Sequence, residues 1–347
     1  MPAARDPENW VWIDFENTPH VLFLEPIWRA LCAAGWSVRG TAKPQAQTLD
    51  LAQARGLAVT KVGGGGYRTR AEKIAGGLAR AWALGRWVRA EGRPQLLVSS
   101  SRTASLAAWT LGIPAVGLVD YEHAENRAVA LACRSVWFPD VLQHAWLPRY
   151  ARRVARFYPG LKENLYLDAW SPDRDAERAK LGVGATDYLV LARPPADTAH
   201  YATPKSDTLF YATLAALKER PEVWVVVMPR NSEQGEVVKG RVNGPRIQVL
   251  DRTVTGPALV GAADLVLGGG GTMNREAAVL GVPVWSTFAG PTPHIDAVLS
   301  NEGRLQWIRT VEDAARAAAG PLPVRHVPRK PFPGLAPIMA DVERSLE

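Results

Sequence analysis

The segment that decides the fold is Leu265-Val-Leu-Gly-Gly-Gly-Gly-Thr-Met-Asn-Arg-Glu-Ala-Ala-Val-Leu-Gly-Val-Pro-Val-Trp285. A short apolar run ends in four glycines, Gly268 to Gly271. A helical pattern then begins near Thr272 and ends at Gly281, because Pro283 cannot continue a helix. The order of strand, glycine turn, helix, turn and next strand is typical of a parallel α/β sheet.

The glycine turn is also suited to a phosphorylated ligand. Glycines at the carboxyl end of a strand let a ligand approach the backbone, and the N–H groups of a helix start favour phosphate. Glu276, one turn into the helix, is within reach of a ribose hydroxyl pair. A tight connection alone explains one or two glycines, but four exceed that need because each costs backbone entropy on folding. The predicted nucleotide-binding residues of this segment are Gly269, Gly270, Gly271, Thr272, Asn274 and Glu276.

The same alternation of apolar strands and helices runs through both halves of the 347-residue chain. It predicts two doubly wound, Rossmann-like α/β domains facing a cleft, with ligands at the carboxyl ends of the strands. We place the N-terminal domain at 1–165 and the C-terminal domain at 170–330. An aperiodic, proline-containing stretch at 158–173 indicates the connection. Residues 331–347 form a final helix that could return to the N-terminal domain.

Composition leaves several ligand classes open. The formal net charge of +7 is compatible with nucleic acid, an anionic membrane face or anionic small molecules. The sequence has no run of 18 apolar residues and no signal-peptide core at its start, so a cytoplasmic protein is expected. Cys32 and Cys133 lie in apolar helical stretches, and we expect them in the core rather than in a disulfide or a metal site.

Five segments carry a family resemblance: Trp12-Ile-Asp-Phe-Glu-Asn-Thr-Pro-His20, Asp120-Tyr-Glu-His-Ala-Glu-Asn-Arg127, Tyr158-Pro-Gly-Leu-Lys-Glu-Asn-Leu-Tyr-Leu167, Arg193-Pro-Pro-Ala-Asp-Thr-Ala-His-Tyr201 and the Gly268–Glu276 turn. With them the chain resembles, over nearly its whole length, the uncharacterised GT-B-like family called domain of unknown function 354. More distantly it is similar to UDP-N-acetylglucosamine 2-epimerases and to the lipid-II-forming N-acetylglucosaminyltransferase. The resemblance implies a GT-B fold.

These distant relatives also imply roles for single residues. Both carry a glycine turn followed by a helix with a donor-binding glutamate, which matches Gly270, Gly271 and Glu276. The transferase has a Gly-Gly-His loop after its first strand, whereas here Thr18-Pro19 replaces the glycines and His20 keeps the histidine. The acidic and histidine residues of an epimerase have no match, which weighs against epimerisation.

The candidate catalytic residues follow strands of the N-terminal domain. His20, with an ordinary pKa near neutrality, is suited to act as general base on an acceptor hydroxyl, although it could instead cap the following helix. Glu122 and His123 follow the strand Ala115–Val119, beside Asp120. Asp120 or Glu122 could deprotonate a hydroxyl and His123 could contact sugar or phosphate, while cap and salt-bridge roles are the alternative.

The remaining donor-site candidates lie in the C-terminal domain. Arg193 follows that domain's first strand, and Arg230 follows its second. A guanidinium at either place could bind a diphosphate through two hydrogen bonds, or simply lie on the surface. His294 resembles the position at which relatives touch the donor sugar, and it could equally begin a helix.

A long basic helix is predicted at roughly 69–91. Its residues Ile74, Leu78, Ala81, Gly85 and Val88 recur at helical spacing, and we expect that row to face the core. Its arginines, Arg80 included, are expected on a solvated basic face. A helix of this kind could also rest on an anionic bilayer and present a lipid-linked acceptor.

Together these patterns predict a metal-independent, GT-B-type glycosyltransferase that uses no cofactor beyond its nucleotide-sugar donor. The donor is expected to be UDP-linked and the acceptor a glycan or a lipid-linked molecule, as in polysaccharide biosynthesis. Peripheral membrane contact is allowed, and nucleic acid is not expected as a partner. One alternative is a nucleotide-sugar 2-epimerase or hydrolase of the same fold. The other is a non-catalytic nucleotide or polyanion binder.

Overall fold

The structure is a computed structural model that describes residues 9–44, 47–64, 69–121, 127–142, 147–168, 170–171, 173–195, 204–251, 256–327 and 333–347. The chain divides into two compact units. The N-terminal unit comprises Met1–Tyr166 and Phe332–Glu347, and the C-terminal unit comprises Leu167–Pro331.

A parallel sheet of seven described strands forms the centre of the N-terminal unit. Its strands are β1 (Trp10–Phe15), β2 (Ser37–Ala42), β3 (Val59–Lys61), β4 (Leu96–Ser99), β5 (Ala115–Leu118), β6 (Ser135–Pro139) and β7 (Ala155–Tyr158), in the order β3-β2-β1-β4-β5-β6-β7. Every residue of β1 is buried, as expected for a central parallel strand covered by helices on both faces. The strand order reverses between β1 and β4, which pair directly.

Helices connect these strands. They are α1 (Thr18–Ala33), α2 (Thr48–Ala54), α3 (Arg70–Glu91), α4 (Arg102–Thr110), α5 (Arg127–Ala132), α6 (Arg149–Arg152) and α7 (Lys162–Leu167). Helix α3 begins at a capping box, in which the Thr69 hydroxyl accepts from the Glu72 N–H and the Glu72 carboxylate accepts from the Thr69 N–H.

The C-terminal unit repeats the plan with six described parallel strands. They are β8 (Tyr188–Arg193), β9 (Val223–Val227), β10 (Ile247–Val249), β11 (Leu265–Gly268), β12 (Val284–Ser286) and β13 (Leu305–Trp307), in the order β10-β9-β8-β11-β12-β13. Its helices are α8 (Arg174–Lys180), α9 (Pro204–Leu217), α10 (Ser232–Arg241), α11 (Gly256–Ala262), α12 (Thr272–Val279), α13 (His294–Asn301) and α14 (Val311–Ala319). Here the order reverses between β8 and β11.

A last helix, α15 (Leu335–Leu346), packs on the N-terminal unit. Its Ile338 and Val342 are fully buried in the same apolar cluster as β1 and α1. The Asp341 carboxylate accepts hydrogen bonds from Ser135 Oγ at 2.6 Å and Trp137 Nε1 at 2.8 Å, which ties the helix to β6.

Three sequence-based expectations are wrong. Ile74 and Leu78 of α3 are more than half exposed, whereas Arg80 of the same helix is buried. The apolar row that faces the core in the second half of the helix is Ala81, Leu84 and Val88. Cys32 is exposed, and only Cys133 is a core thiol, whose pKa burial raises to about 12.

Candidate functional site

The carboxyl edge of the C-terminal sheet holds the best-defined site. A reversal of strand order opens a crevice beyond the carboxyl ends of the two strands concerned, since their following connections diverge to opposite faces of the sheet. In this sheet the two strands are β8 and β11, and Arg193 at the end of β8 is the register partner of Gly268 at the end of β11. The predicted arginine and the predicted glycine turn therefore meet at this crevice.

Packing explains three of the four glycines. A Cβ on Gly268 would collide with the Asn274 side chain, and one on Gly269 would lie 2.6 Å from the Cα of Pro195. Gly270 has a φ of +90°, and a Cβ there would lie 3.1 Å from the Phe288 ring. The turn is therefore pressed against the loop after β8 on one side and against the segment after β12 on the other.

Gly271 is different, because nothing lies within 4 Å of the position that its Cβ would take. Its φ of +96° and ψ of −164° fall in a region that is essentially restricted to glycine. It caps the eight-residue helix α12 without a side-chain hydrogen bond to the helix start. The open backbone at Gly271 and the N–H groups of Thr272 and its neighbours can therefore receive an anion.

Two arginines lie next to this turn. Burial, together with the nearby charge of Arg230, lowers the pKa of Arg193 to about 10, and Glu276 opposes that shift. Arg193 makes no hydrogen bond or ion pair with any residue in the described ranges. Arg230 Nε donates to the carbonyl of Pro194 at 3.3 Å, which holds the second guanidinium at the same loop. Two neighbouring cations, one of them without an ion pair among the described residues, are the charge pattern of an anion site.

Glu276 is 4% exposed and lies on α12. Its carboxylate lies 3.3 Å from the position a Cβ would take on Gly256, at the start of α11. It is thus held at the rim of the crevice, one turn from the open backbone of Gly271.

Buried polar atoms without partners surround the turn. Both side-chain atoms of Asn274, the Ser286 hydroxyl and the Thr287 hydroxyl lack a hydrogen-bond partner within the described part of the chain. Ser286 ends β12, and the Thr287 N–H donates to the Gly268 carbonyl at 2.9 Å. Native proteins satisfy nearly all such groups, so this edge of the sheet has hydrogen-bonding capacity for water or a ligand.

His294 and Asp296 lie at the start of α13 and have separate roles. His294 is half-buried, and its role toward a sugar remains a prediction. Asp296 is buried and accepts from Arg275 Nε at 3.0 Å, so this pair ties α13 to α12.

The equivalent crevice of the N-terminal sheet is filled by protein. Asp14, near the end of β1, is fully buried. Its carboxylate accepts hydrogen bonds from Arg80 Nη2 at 2.7 Å and from Thr41 Oγ1 at 2.5 Å. Arg80 Nε also donates to the Val62 carbonyl at 3.2 Å. Sequence reasoning missed this pair because Arg80 lies in a run of basic residues. Its spacing places it on the same helix face as Leu84 and Val88, which is the one sequence signal for its burial, but the row of Ile74 and Leu78 competes with that face.

A second polar group lies farther along the N-terminal sheet edge. His20 is half-buried on α1, and its Nδ1 has no hydrogen-bond partner among the residues described. Burial lowers its pKa, although the nearby carboxylates of Asp120, Glu16 and Asp14 oppose the shift and Lys162 adds to it. The imidazole is therefore neutral at pH 7 and able to accept a proton.

Lys162 is the residue that sequence reasoning overlooked here. It is 5% exposed on α7, and its ammonium forms an ion pair with Asp120 and lies 3.8 Å from Glu163. The Tyr158 hydroxyl, fully buried at the end of β7, lacks a partner in the described ranges. The topology thus brings His20, Asp120 and Lys162 into one polar cluster. The candidates Glu122 and His123 lie outside the described residues, and their roles remain predictions.

Two Rossmann-like units, each built on a parallel sheet with one reversal of strand order, define a protein of the GT-B fold class. Residues 10–322 match the family described as "protein of unknown function (DUF354)", and the chain belongs to this family. An uncharacterised protein of Methanocaldococcus jannaschii is 25% identical over 302 residues, which cover 85% of this chain and 86% of that protein.

Solved structures share the fold at low sequence identity. A UDP-GlcNAc 2-epimerase of Methanocaldococcus jannaschii, in complex with UDP-GlcNAc and UDP, superposes with a TM-score of 0.69 at 14% identity, covering 96% of this chain and 99% of that one. A putative UDP-N-acetylglucosamine 2-epimerase of Listeria monocytogenes gives 0.72 at 13% identity, covering 98% and 96%. The spinosyn forosaminyltransferase gives 0.62 at 15% identity, covering 97% and 95%. Both epimerases and glycosyltransferases are therefore structural neighbours.

Proposed function

We propose that the protein is a GT-B-type glycosyltransferase that binds a nucleotide-sugar in its C-terminal unit, at the crevice between β8 and β11. The observation that carries the proposal is Arg193, a half-buried guanidinium at the end of β8 that forms no hydrogen bond or ion pair with the described residues and lies close to the second cation, Arg230, beside the glycine turn. Two neighbouring guanidinium groups repel each other, so their retention at this edge of the sheet points to an anionic ligand. A diphosphate supplies that charge.

The remaining residues of the crevice suit the rest of a nucleotide-sugar. Arg230 and the N–H groups at the start of α12 add positive potential for the diphosphate, so charge neutralisation needs no metal. Glu276 is positioned to accept from ribose hydroxyls, and Asn274 has unused hydrogen-bonding capacity. We infer a UDP-linked donor, since the structural neighbours include proteins bound to UDP-GlcNAc and UDP. His294 is assigned to the sugar.

The N-terminal unit supplies the base and binds the acceptor, a glycan or lipid-linked molecule of polysaccharide biosynthesis in the cytoplasm. His20 accepts the proton of the acceptor hydroxyl as the oxygen attacks the anomeric carbon. The bond from that carbon to the diphosphate then breaks, and the negative charge that develops on the nucleotide is stabilised by Arg193 and α12. Asp120, held by Lys162, stabilises the imidazolium that forms. Glu122 is the alternative base, and His123 is assigned to sugar or phosphate.

Binding of nucleoside diphosphates tests the donor site. We expect UDP to raise the unfolding temperature of the purified protein more than ADP, GDP, CDP or dTDP, since a ligand bound only by the folded state stabilises by about 2.7 kcal/mol at 100 times its Kd. Arg193→Met should abolish the UDP shift. Because it removes a half-buried cation that forms no ion pair with the described residues and is repelled by Arg230, it should leave the ligand-free protein at least as stable as the wild type.

Arg275→Met is the matched control, since it also removes a buried arginine of the C-terminal unit. Arg275 is paired with Asp296, so its loss should cost about 3–5 kcal/mol of unfolding free energy by leaving a buried carboxylate alone. Destabilisation of the same size by Arg193→Met, with the UDP shift intact, would show that Arg193 is a structural residue and would remove the basis of the proposal.

The second candidate is a nucleotide-sugar 2-epimerase or hydrolase, favoured by the epimerases among the structural neighbours. The two reactions differ in their need for an acceptor. Incubation of the protein with UDP-GlcNAc alone, followed by proton NMR, separates them. A change at C2 or release of free sugar without acceptor indicates the second candidate, whereas a transferase converts the donor only when acceptor is added.

A further inference from the structure

Helix α3 carries a row of large apolar side chains on its outer face. Ile74 is 59% exposed, Leu78 is 58% exposed and Trp82 is 64% exposed. Their i, i+4 spacing places them in one line along the helix, about 12 Å long at 1.5 Å per residue. Isolated exposed apolar residues are ordinary on protein surfaces, but three in a contiguous row mark an interaction surface.

The opposite face of α3 fixes the orientation of this row. Leu84 is fully buried, Val88 is 3% exposed, and Arg80 is held by its ion pair with the buried Asp14. The helix therefore cannot rotate its outer row inward without breaking that pair. Ile74, Leu78 and Trp82 face outward as a consequence of the fold.

Cationic side chains continue the row. The Arg86 guanidinium lies 5.0 Å from the centroid of the Trp82 ring, and the guanidinium of Arg89 lies 3.8 Å from the position of a Cβ on Gly85. The acidic residues of the helix are engaged elsewhere, since Glu72 caps the helix start and Glu91 pairs with Arg39 at 3.2 Å. The outer face is thus apolar in its first part and cationic in its last turns.

The neighbouring helix α4 also carries an exposed tryptophan. Helix α4 packs against α3 where Thr103 approaches Gly77, at 3.7 Å from the position of a Cβ there. Trp109, six residues farther along α4, is 63% exposed. A tryptophan ring with an arginine over one face is typical of the boundary between acyl chains and headgroups.

We propose that Ile74, Leu78, Trp82, Arg86 and Arg89, the α3 surface, bind an anionic lipid bilayer. The three apolar side chains enter the acyl boundary, and the two arginines contact lipid phosphates. No helix in the described part of the chain is long and apolar enough to cross a bilayer, so contact is confined to one leaflet. A second copy of the chain fits this surface less well, because it presents the same arginines and a formal net charge of +7. The proposal does not depend on the identity of the nucleotide ligand.

Vesicle co-sedimentation with the full chain tests the proposal. We expect the protein to sediment with vesicles of phosphatidylcholine and phosphatidylglycerol, and much less with phosphatidylcholine alone. Arg86→Gln/Arg89→Gln should weaken the partition coefficient by roughly 25-fold, about fivefold for each arginine. Ile74→Gln/Leu78→Gln/Trp82→Gln should reduce it below detection. The matched control is Val237→Gln/Val311→Gln, two apolar residues of the C-terminal unit that are 47% exposed, and it should bind as the wild type does.

Three results would overturn the proposal. The first is equal sedimentation of the wild type and the α3 variants, and the second is no sedimentation of the wild type. The third is a wild-type dimer in analytical ultracentrifugation that the triple variant converts to monomer, which would identify a second copy as the occupant. Because the substituted side chains are exposed, the variants should keep the wild-type unfolding temperature, and that measurement excludes misfolding as the cause of lost binding.

Discussion

The arginines of this protein differ in whether they form an ion pair with a carboxylate. Arg80, Arg275 and Arg178 are buried and each is paired with a carboxylate, namely Asp14, Asp296 and Asp264. Arg193 is half-buried and forms no such ion pair with the described residues, although the charge of Glu276 is near enough to act on its pKa. Arg80 holds α3 to β1, Arg178 holds α8 to the residue before β11, and Arg275 ties α12 to α13. Arg193 has no structural task of this kind, which is why we assign it to the ligand.

The neutral state of His20 gives a pH dependence of stability. Its pKa in the folded protein lies below its ordinary value of 6.5, chiefly because of burial. As pH falls through 6.5, the unfolded chain therefore takes up the proton before the folded chain does, and the free energy of unfolding decreases. Urea unfolding at pH 7, 6 and 5 should show a smaller decrease for His20→Gln than for the wild type.

The exposed residue His326 provides the control, as His326→Gln removes a histidine from the C-terminal unit. If His20→Gln and the wild type lose the same free energy between pH 7 and pH 5, His20 is not held neutral by burial. Its assignment as the base of the reaction would then lose its physical support.

At the scale of elements, the sequence predicts central strands better than edges and helix faces. β1, β8 and β11 are largely apolar runs, so the α/β fold class of the protein and the position of the glycine turn follow from the sequence pattern alone. Of the four edge strands in the described sheets, the sequence predicts β3 and β10 but not β7 and β13, which are short runs without a clear period. In α3 two apolar rows compete, and a sequence does not tell which faces the sheet. The ion pair of Arg80 with Asp14, 66 residues apart, decides it.

Candidate-site residues, too, are predictable from the sequence only where they lie close together along the chain. Gly271 and Glu276 could be predicted because strand, turn and helix are contiguous in sequence. The cluster of His20, Asp120 and Lys162 could not, since Lys162 reaches Asp120 only after β7 has paired with β6. Residues that meet through sheet pairing give no local signal.

Replacement of glycine by alanine should have opposite effects on stability in the glycine turn and in helix α10. Gly269→Ala would put a Cβ 2.6 Å from the backbone of Pro195, so the two loops must separate, and we expect a loss of about 1–3 kcal/mol in unfolding free energy. Gly240→Ala, in α10, meets nothing within 4 Å and should stabilise by about 0.5–1 kcal/mol. Equilibrium urea unfolding measures both. A neutral Gly269→Ala would mean that the turn does not pack against the loop after β8.

At the scale of the whole molecule, the chain leaves the N-terminal unit after Tyr166 and re-enters it at Phe332. The N-terminal unit is therefore completed by residues that follow the entire C-terminal unit in sequence. Helix α15 supplies fully buried side chains to the cluster that contains β1 and α1. Burial alone would raise the pKa of Asp341, but hydrogen bonds from Ser135 and Trp137 together with the nearby charge of Arg344 lower it, so its carboxylate stays charged.

Because α15 belongs to the N-terminal unit, a substitution in it should destabilise the N-terminal sheet and leave the C-terminal sheet unchanged. Ile338→Ala removes a fully buried side chain from α15 and should cost about 2–5 kcal/mol of stability, because the surrounding cluster cannot close the cavity. Hydrogen exchange should accelerate in β1, β4 and β6 of the N-terminal sheet, while amides of β8 and β11 keep their wild-type protection. Val324→Ala, at an apolar position of the C-terminal unit that is 79% exposed, is the control and should change neither. Faster exchange in both sheets would show that the units unfold together, and unchanged exchange in the N-terminal sheet would show that α15 is not part of its core.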